Sequence, residues 1–501
     1  MLKPTNLVTA FFAMSVINGC SAKNETPAPG EPNILWIYIE DMNPRFGCYG
    51  DKTVPTPNMD KLARDGVLFE RCYVPVPVCS PTRSSLITGR MPTTIEVHNH
   101  DGAYAKLPGY LEGNTLPEIF KKNGYLTFNQ GKDHYTFVYD RDNLYSRLWS
   151  RSNFQVRLTP DVSPDDYAPW RGLPDKGKPF FGQIQLVGDK NNPDNMKEVL
   201  PALVPPESVA EKIPPIYPKR EAFLRHFARA YDCVAMTDME VGIIMELLEE
   251  DGLLDNTIVF LFSDHGEDTP RGKQFCYEEG LHVPLIIRAP KNLARAKSNS
   301  RRKDLVSLLD ASATSLAFAN IGIPAWYDSK DLFDKSFKRE FVVSSKDRMD
   351  YTIDRIRALT TDDGYRYIRN YMLDRPYTQL NYRSGRGMFG NMEELFAKGK
   401  LSDVQARFFS NYRPAEELYN LKDDPYEINN LAHHPDFEEK LVELRGKLEN
   451  WVKETDDKGQ YPESQENLQK VYEHWKDRFI TQYGKPFEEM VTSPEYDFLR
   501  K

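Results

Sequence analysis

The stretch Ile34-Leu35-Trp36-Ile37-Tyr38-Ile39-Glu40-Asp41 decides the fold. Six consecutive apolar residues have no polar face to show to water, so the segment reads as a strand buried on both sides, the kind found in a parallel sheet covered by helices. Two carboxylates end it. The pattern returns at Ile258-Val259-Phe260-Leu261-Phe262, which runs into Ser263-Asp264-His265-Gly266, and at Pro284-Leu285-Ile286-Ile287-Arg288. Helices lie between. Thr56 as N-cap with Pro57 in the first turn opens a short one closed by Gly66, and Thr115 to Asn123 repeats the logic before Gly124. Arg220 to Glu250 sets Phe223, Phe227, Tyr231, Val234, Val241, Ile244 and Leu248 at helical spacing before Gly252. Strands alternating with helices over roughly 300 residues predict an α/β domain with a large, mainly parallel central sheet flanked by helices. We bound it at residues 33–338.

From Phe341 the texture changes. The short runs Phe341-Val342-Val343, Ile356-Arg357-Ala358-Leu359 and Tyr365-Arg366-Tyr367-Ile368, then the helix-like segment Pro435 to Thr455, predict a smaller α+β unit with a short antiparallel sheet over residues 339–455. The polar extension 456–501 carries no pattern that we read.

The chain has 501 residues, 40% hydrophobic and 12% aromatic, enough for a large core. Its 65 basic and 74 acidic residues give a net charge of -9, which argues against a nucleic-acid partner held by phosphate attraction. One cationic pocket on an acidic protein still suffices for a small anion. At the start, Lys3, the apolar run Leu7 to Ile17 and Asn18-Gly19-Cys20 read as a secretory signal over residues 1–20, too short to span a membrane. Gly19-Cys20 indicates a lipoprotein site, the alternative being plain cleavage beside an incidental cysteine. Residues 21–32 would be a tether. The expectation is export to the periplasm or cell surface, with membrane contact only through a lipid anchor. Cys48, Cys72, Cys233 and Cys276 show no metal-finger spacing and are expected in the core, with at most one disulfide.

In an open α/β sheet, ligands gather outside the carboxyl ends of the strands. Glu40, Asp41, Asp264 and His265 sit at two such ends. Three carboxylates and an imidazole suit a divalent cation, and hard oxygen donors favour calcium or magnesium over zinc. Between them lies Val78-Cys79-Ser80-Pro81-Thr82-Arg83-Ser84-Ser85-Leu86-Ile87-Thr88-Gly89-Arg90. Pro81 fits a first helical turn and Gly89 an end, so Cys79 falls at a helix N-terminus, where free N–H groups attract an anion.

This stretch resembles the signature of the type I, formylglycine-dependent sulfatases: Cys-x-Pro-x-Arg, here Cys79, Pro81 and Arg83, continuing to Leu86, Thr88 and Gly89. Phe46-Gly47-Cys48-Tyr49-Gly50-Asp51, Pro55-Thr56-Pro57-Asn58-Met59-Asp60, Gly131-Lys132-Asp133-His134, Ser263-Asp264-His265-Gly266 and Glu417 to Pro425 are similar to the family's landmarks in order, so the resemblance spans roughly residues 33–455. Within the family, the chain resembles bacterial glycan sulfatases related to heparan N-sulfatase and iduronate-2-sulfatase. The resemblance implies an alkaline-phosphatase-like fold and hydrolysis of sulfate esters or sulfamates on a saccharide, acting from the chain end. It implies that a formylglycine-generating enzyme converts Cys79 to formylglycine, and that Glu40, Asp41, Asp264, His265 and the modified residue 79 ligate Ca2+. Arg83, Lys132, His134 and Lys273 would join residue 79 in catalysis. Relatives also carry a histidine after the strand corresponding to Phe180 to Val187. Here Gly188-Asp189-Lys190-Asn191-Asn192 stands there, and none of the nine histidines lies between His134 and His226. Lys190 is the candidate replacement, and His98 and His100 are candidate substrate-binding residues. Two rival readings stay open: a phosphodiesterase or phosphonate-monoester hydrolase of the same superfamily, and a non-catalytic glycan-binding relative.

Overall fold

The computed structural model describes residues 31–148, 158–159, 161–196, 203–291, 293 and 295–500. The expected signal, residues 1–20 with Cys20, and most of the tether lie outside the described residues. Asn33–Ile39 forms β1, buried along its whole length. The further strands are β2 (Val67–Tyr73), β3 (Leu126–Gln130), β4 (Arg147–Leu148), β5 (Phe180–Leu186), β6 (Thr257–Ser263), β7 (His282–Arg288) and β8 (Ser300–Ser307). They make one eight-stranded sheet in the order β4-β3-β5-β1-β6-β7-β2-β8. β1 pairs in parallel with β5 and β6, β3 with β4 and β5, and β2 with β8. Among the described strands β7 alone is reversed, antiparallel to β6 and β2. The run Pro284–Arg288 does not betray this, because buried strands of either direction have the same apolar sequence.

Aromatic rings fill the central layer. Trp36 meets Phe181 and Phe262 edge-on at centroid distances of 5.2 and 5.5 Å, and its indole N–H donates to Ser315 Oγ at 2.9 Å, so the buried ring leaves no polar group unpaired. The long helix Glu221–Glu250 buries the predicted apolar stripe from Phe223 to Leu248. It also caps its neighbour. Thr56 does stand at the N-cap of the helix Pro57–Arg64, but its hydroxyl accepts from Gly47 N–H and donates to Asp60. Asp238 of the long helix instead accepts the free N–H groups of Asn58 and Met59.

A second, four-stranded antiparallel sheet has the order β12-β11-β10-β9, from β9 (Phe341–Lys346), β10 (Ile356–Thr361), β11 (Tyr365–Asn370) and β12 (Glu416–Asn420). The helix Glu438–Glu454 covers it with Leu441, Leu444 and Leu448. The extension is folded after all. Its helix Gln465–Tyr483 buries Leu468, Val471, Trp475 and Phe479 against Tyr351 and Ala103, a one-sided stripe in a polar background that sequence reading passed over. Cys48, Cys72, Cys79, Cys233 and Cys276 are all free thiols. No helix among the described residues is long and apolar enough to cross a membrane.

Candidate active site

The contiguous strands β3, β5, β1 and β6 run parallel, so their carboxyl ends open on one edge of the sheet. Lys132 and His134 follow β3, Lys190 follows β5, Glu40 and Asp41 follow β1, and Asp264 and His265 follow β6. β2 ends on the same edge and leads to the helix Cys79–Thr88, whose every residue is buried and whose αL C-cap is Gly89. Cys79, 4% exposed, is that helix's first residue. Local backbone features fix the approach of these ends. Asp41 takes φ 54°, and its N–H donates to Asp264 Oδ1 at 3.2 Å, tying β1 to β6. Gly188 takes φ 56°, and a Cβ there would lie 2.1 Å from the Glu40 carbonyl, so only glycine lets the β5 exit pack on Glu40.

Glu40, Asp41 and Asp264 bring carboxylate oxygens within 4.8 Å of one another. Cations surround them. Arg83, 1% exposed, donates from Nη2 to Glu40 Oε1 and to Asp264 Oδ2 at 2.5 and 3.0 Å, and from Nη1 to Gln185 Oε1. Lys132 Nζ reaches Glu40 at 2.9 Å, Lys190 contacts Glu40 and lies 3.5 Å from Asp41, and Lys273 Nζ reaches Asp41 at 2.9 Å. Burial would push the Glu40 carboxyl up, but Lys132, Lys190 and Arg83 hold it well below the usual range. These four cations outnumber the three carboxylates, so the pocket draws an anion before any metal is added.

The residues fit a hard divalent cation. His265 Nδ1 lies 2.9 Å from the Gly266 carbonyl, which can only accept, so the ring proton is on Nδ1. Nε2 is left buried, 3.1 Å from Asp41 Oδ1, with no hydrogen-bond partner among the described residues. An orphaned nitrogen aimed at Asp41 and Asp264, beside Glu40 in the same carboxylate cluster, is a donor set for a cation with oxygen preference.

On the other side of Cys79 stand two imidazoles. His100 Nε2 is 4.0 Å from Cys79 Sγ and its Nδ1 is 3.1 Å from Asp350 Oδ1. His134, at φ 52°, sets Nε2 2.8 Å from Asp101 Oδ1. Burial disfavours the charged ring of His100, but Asp101 and Asp350 outweigh it and raise its pKa to about 10. Burial likewise pushes the Cys79 thiol up, while Lys132, Lys273 and the two histidines hold it well below its usual range.

The structure thus gathers Cys79, Arg83, Lys132, His134, Lys273, His100, Lys190, Glu40, Asp41, Asp264 and His265 in one pocket. His98 is not among them. Its buried ring has Asp347 and Asp457 as charged neighbours instead. Sequence reasoning missed Asp350, Asp101, Gln185 and Arg348. Arg348 donates to the carbonyls of His100 and Asp101 at 2.7 and 2.6 Å and pairs with Glu463 of the extension at 2.7 Å, so the distant C-terminus fixes the His100 loop. The Asn99-His100-Asp101 run did signal a polar loop, but nothing in one sequence links it to Asp350.

The family model described as Sulfatase matches residues 32–321. An ulvan-active sulfatase of Formosa agariphila is 32% identical over 470 residues, covering 88% of this chain and 78% of that protein. Human N-sulphoglucosamine sulphohydrolase is 25% identical, with 85% and 90% covered. Among solved structures, a 2-O GAG sulfatase superposes with a TM-score of 0.62 at 20% identity, covering 87% of this chain and 94% of the other.

Proposed function

Since the chain belongs to the sulfatase family, we propose that it hydrolyses sulfate groups on a sulfated glycan, with residue 79, as formylglycine, for its nucleophile. The observation that carries this reading is the convergence on Cys79 of a helix N-terminus, an acidic cluster and four cations. Calcium held by Glu40, Asp41, Asp264 and His265 would polarise a sulfate oxygen, and formylglycine would supply a hydroxyl nucleophile able to release sulfate by reverting to its aldehyde.

The chain's own side chains do the rest. Arg83 keeps Glu40 and Asp264 in register from one turn beyond Cys79. Lys132, Lys190 and Lys273 present ammonium groups to the sulfate oxygens. His100, backed by Asp350 and facing residue 79, is the group placed to give the departing sugar oxygen or nitrogen its proton. It stands in for the histidine absent after β5, with Lys190 serving the charge rather than the proton. Cys79 lies deep, which suits a terminal sugar inserted sulfate-first and supports action from a chain end. The ulvan-active relative supports a sulfated polysaccharide as the source of such ends. The reading includes export, a lipid anchor at Cys20 and maturation by a formylglycine-generating enzyme.

The test is sulfate release by the chain co-produced with a formylglycine-generating enzyme, assayed on sulfated mono- and disaccharides, ulvan, aryl sulfate and phosphodiesters. Turnover of sulfated saccharides is the expected result. A preference for phosphodiesters, or no turnover of any sulfate by fully modified, calcium-loaded protein, would overturn the reading.

A further inference from the structure

Both pocket histidines are oriented as metal-binding imidazoles usually are, with the ring nitrogen remote from the ligand site held by a carboxylate. Asp350 takes His100 Nδ1 at 3.1 Å and Asp101 takes His134 Nε2 at 2.8 Å. That leaves His100 Nε2 facing Cys79 Sγ at 4.0 Å, and His134 Nδ1 buried with no hydrogen-bond partner among the described residues. The rings meet edge to face at 5.4 Å, and one donor atom from each of Cys79, His100 and His134 lies within 4.8 Å of the other two.

We propose that, while residue 79 is still a cysteine, Cys79, His100 and His134 bind a borderline-soft divalent cation, Zn2+ foremost, on the histidine side of Cys79, next to the Glu40, Asp41 and Asp264 cluster. One sulfur and two imidazole nitrogens are a zinc donor set, whereas calcium takes oxygen. The spacing needs only small side-chain adjustment, and His134, 22% exposed, gives the ion a way in. Lys132 and Lys273 oppose a dication there; the thiolate, Asp101 and Asp350 offset them. Binding displaces protons from the thiol and the imidazoles. A chain whose residue 79 is already formylglycine lacks the sulfur donor and leaves both imidazoles to the substrate. The unmodified chain is therefore metal-capped, and the mature one is not. The proposal rests on these residues alone, so it stands or falls apart from the reading of the mature enzyme.

The test uses the full chain produced without a maturation enzyme, with the thiol at residue 79 verified by mass, and Co2+ as a spectroscopic stand-in for Zn2+. The expected result is a thiolate-to-cobalt charge-transfer band that Zn2+ abolishes, that Cys79→Ala lacks and that His265→Gln retains. His100→Gln and His134→Gln should each weaken binding at least about tenfold, and Asp350→Asn by about 10–100-fold. Should a histidine variant not fold by circular dichroism, Asp101→Asn and Asp350→Asn carry the test, since they keep all three ligands. No charge-transfer band in folded wild-type chain would overturn the proposal. So would a band indifferent to His100, His134, Asp101 and Asp350 but lost in His265→Gln, which would put the ion with Asp264 and His265 instead.

Discussion

Residue 79 sits where two charge systems meet, the carboxylates neutralised by Arg83 and the lysines on one side and the carboxylate-backed histidines on the other. Truncating its side chain removes the proposed nucleophile and little else. Cys79→Ala is expected to abolish sulfate release while costing at most about 2 kcal/mol of stability, because the lost volume is small. Arg83 is different, since it is buried between Glu40 and Asp264. Arg83→Met leaves those two charges short of a partner and is expected to destabilise the fold by about 3–5 kcal/mol in urea unfolding, beyond its effect on turnover. Lys273→Met takes from Asp41 its nearer ammonium partner, with Lys190 remaining at 3.5 Å, and removes a proposed sulfate contact; a loss of about 10²–10³-fold in kcat on a sulfated saccharide is expected.

At the scale of elements, the site exists because four adjacent parallel strands end together and because β5 can leave the sheet pressed against Glu40. Gly188→Ala forces both a positive φ and a backbone clash, and should cost about 1–3 kcal/mol while moving Lys190 out of the pocket, seen as lost activity with the fold retained. Much of this was legible. The runs at Ile34 and Ile258 showed buried strands, their acidic ends pointed to the edge where the candidate site residues meet, and Pro81 with Gly89 set Cys79 at a helix N-terminus. What escaped notice depended on partners far along the chain. The reversal of β7 depends on pairing, not composition. The cap from Asp238 and the Asp350 contact with His100 join segments about 180 and 250 residues apart, and no local pattern encodes such a contact. His98 and His100 differ in their distant partners, Asp347 and Asp457 for the first and Asp350 for the second, which the sequence does not pair.

In the whole molecule, the C-terminal extension ties the smaller sheet to the pocket. Arg357 of β10, fully buried, pairs with Asp457 at 2.6 Å and with Asp347 at 3.0 Å, and Glu463 holds Arg348 under the His100 loop. Burial would push the Asp457 carboxyl up, but Arg357 outweighs it and lowers it. A carboxyl held below its unfolded value contributes stability above about pH 4 that disappears as the pH falls through and below that value. Wild-type protein should therefore lose stability there more steeply than Asp457→Asn, compared by urea unfolding across pH 3–6, roughly spanning that window. Calcium chelation should lower the unfolding temperature of the mature protein, because an ion bound only by the folded state stabilises it, and readdition should restore it. The whole account turns on residue 79 being chemically altered in the working enzyme. The most direct measurement is the mass of the peptide containing residue 79, taken from a preparation whose sulfate release on a sulfated saccharide is recorded in parallel. The account predicts formylglycine in proportion to activity across preparations of differing maturation. Full activity from protein whose residue 79 is an unmodified cysteine would contradict it.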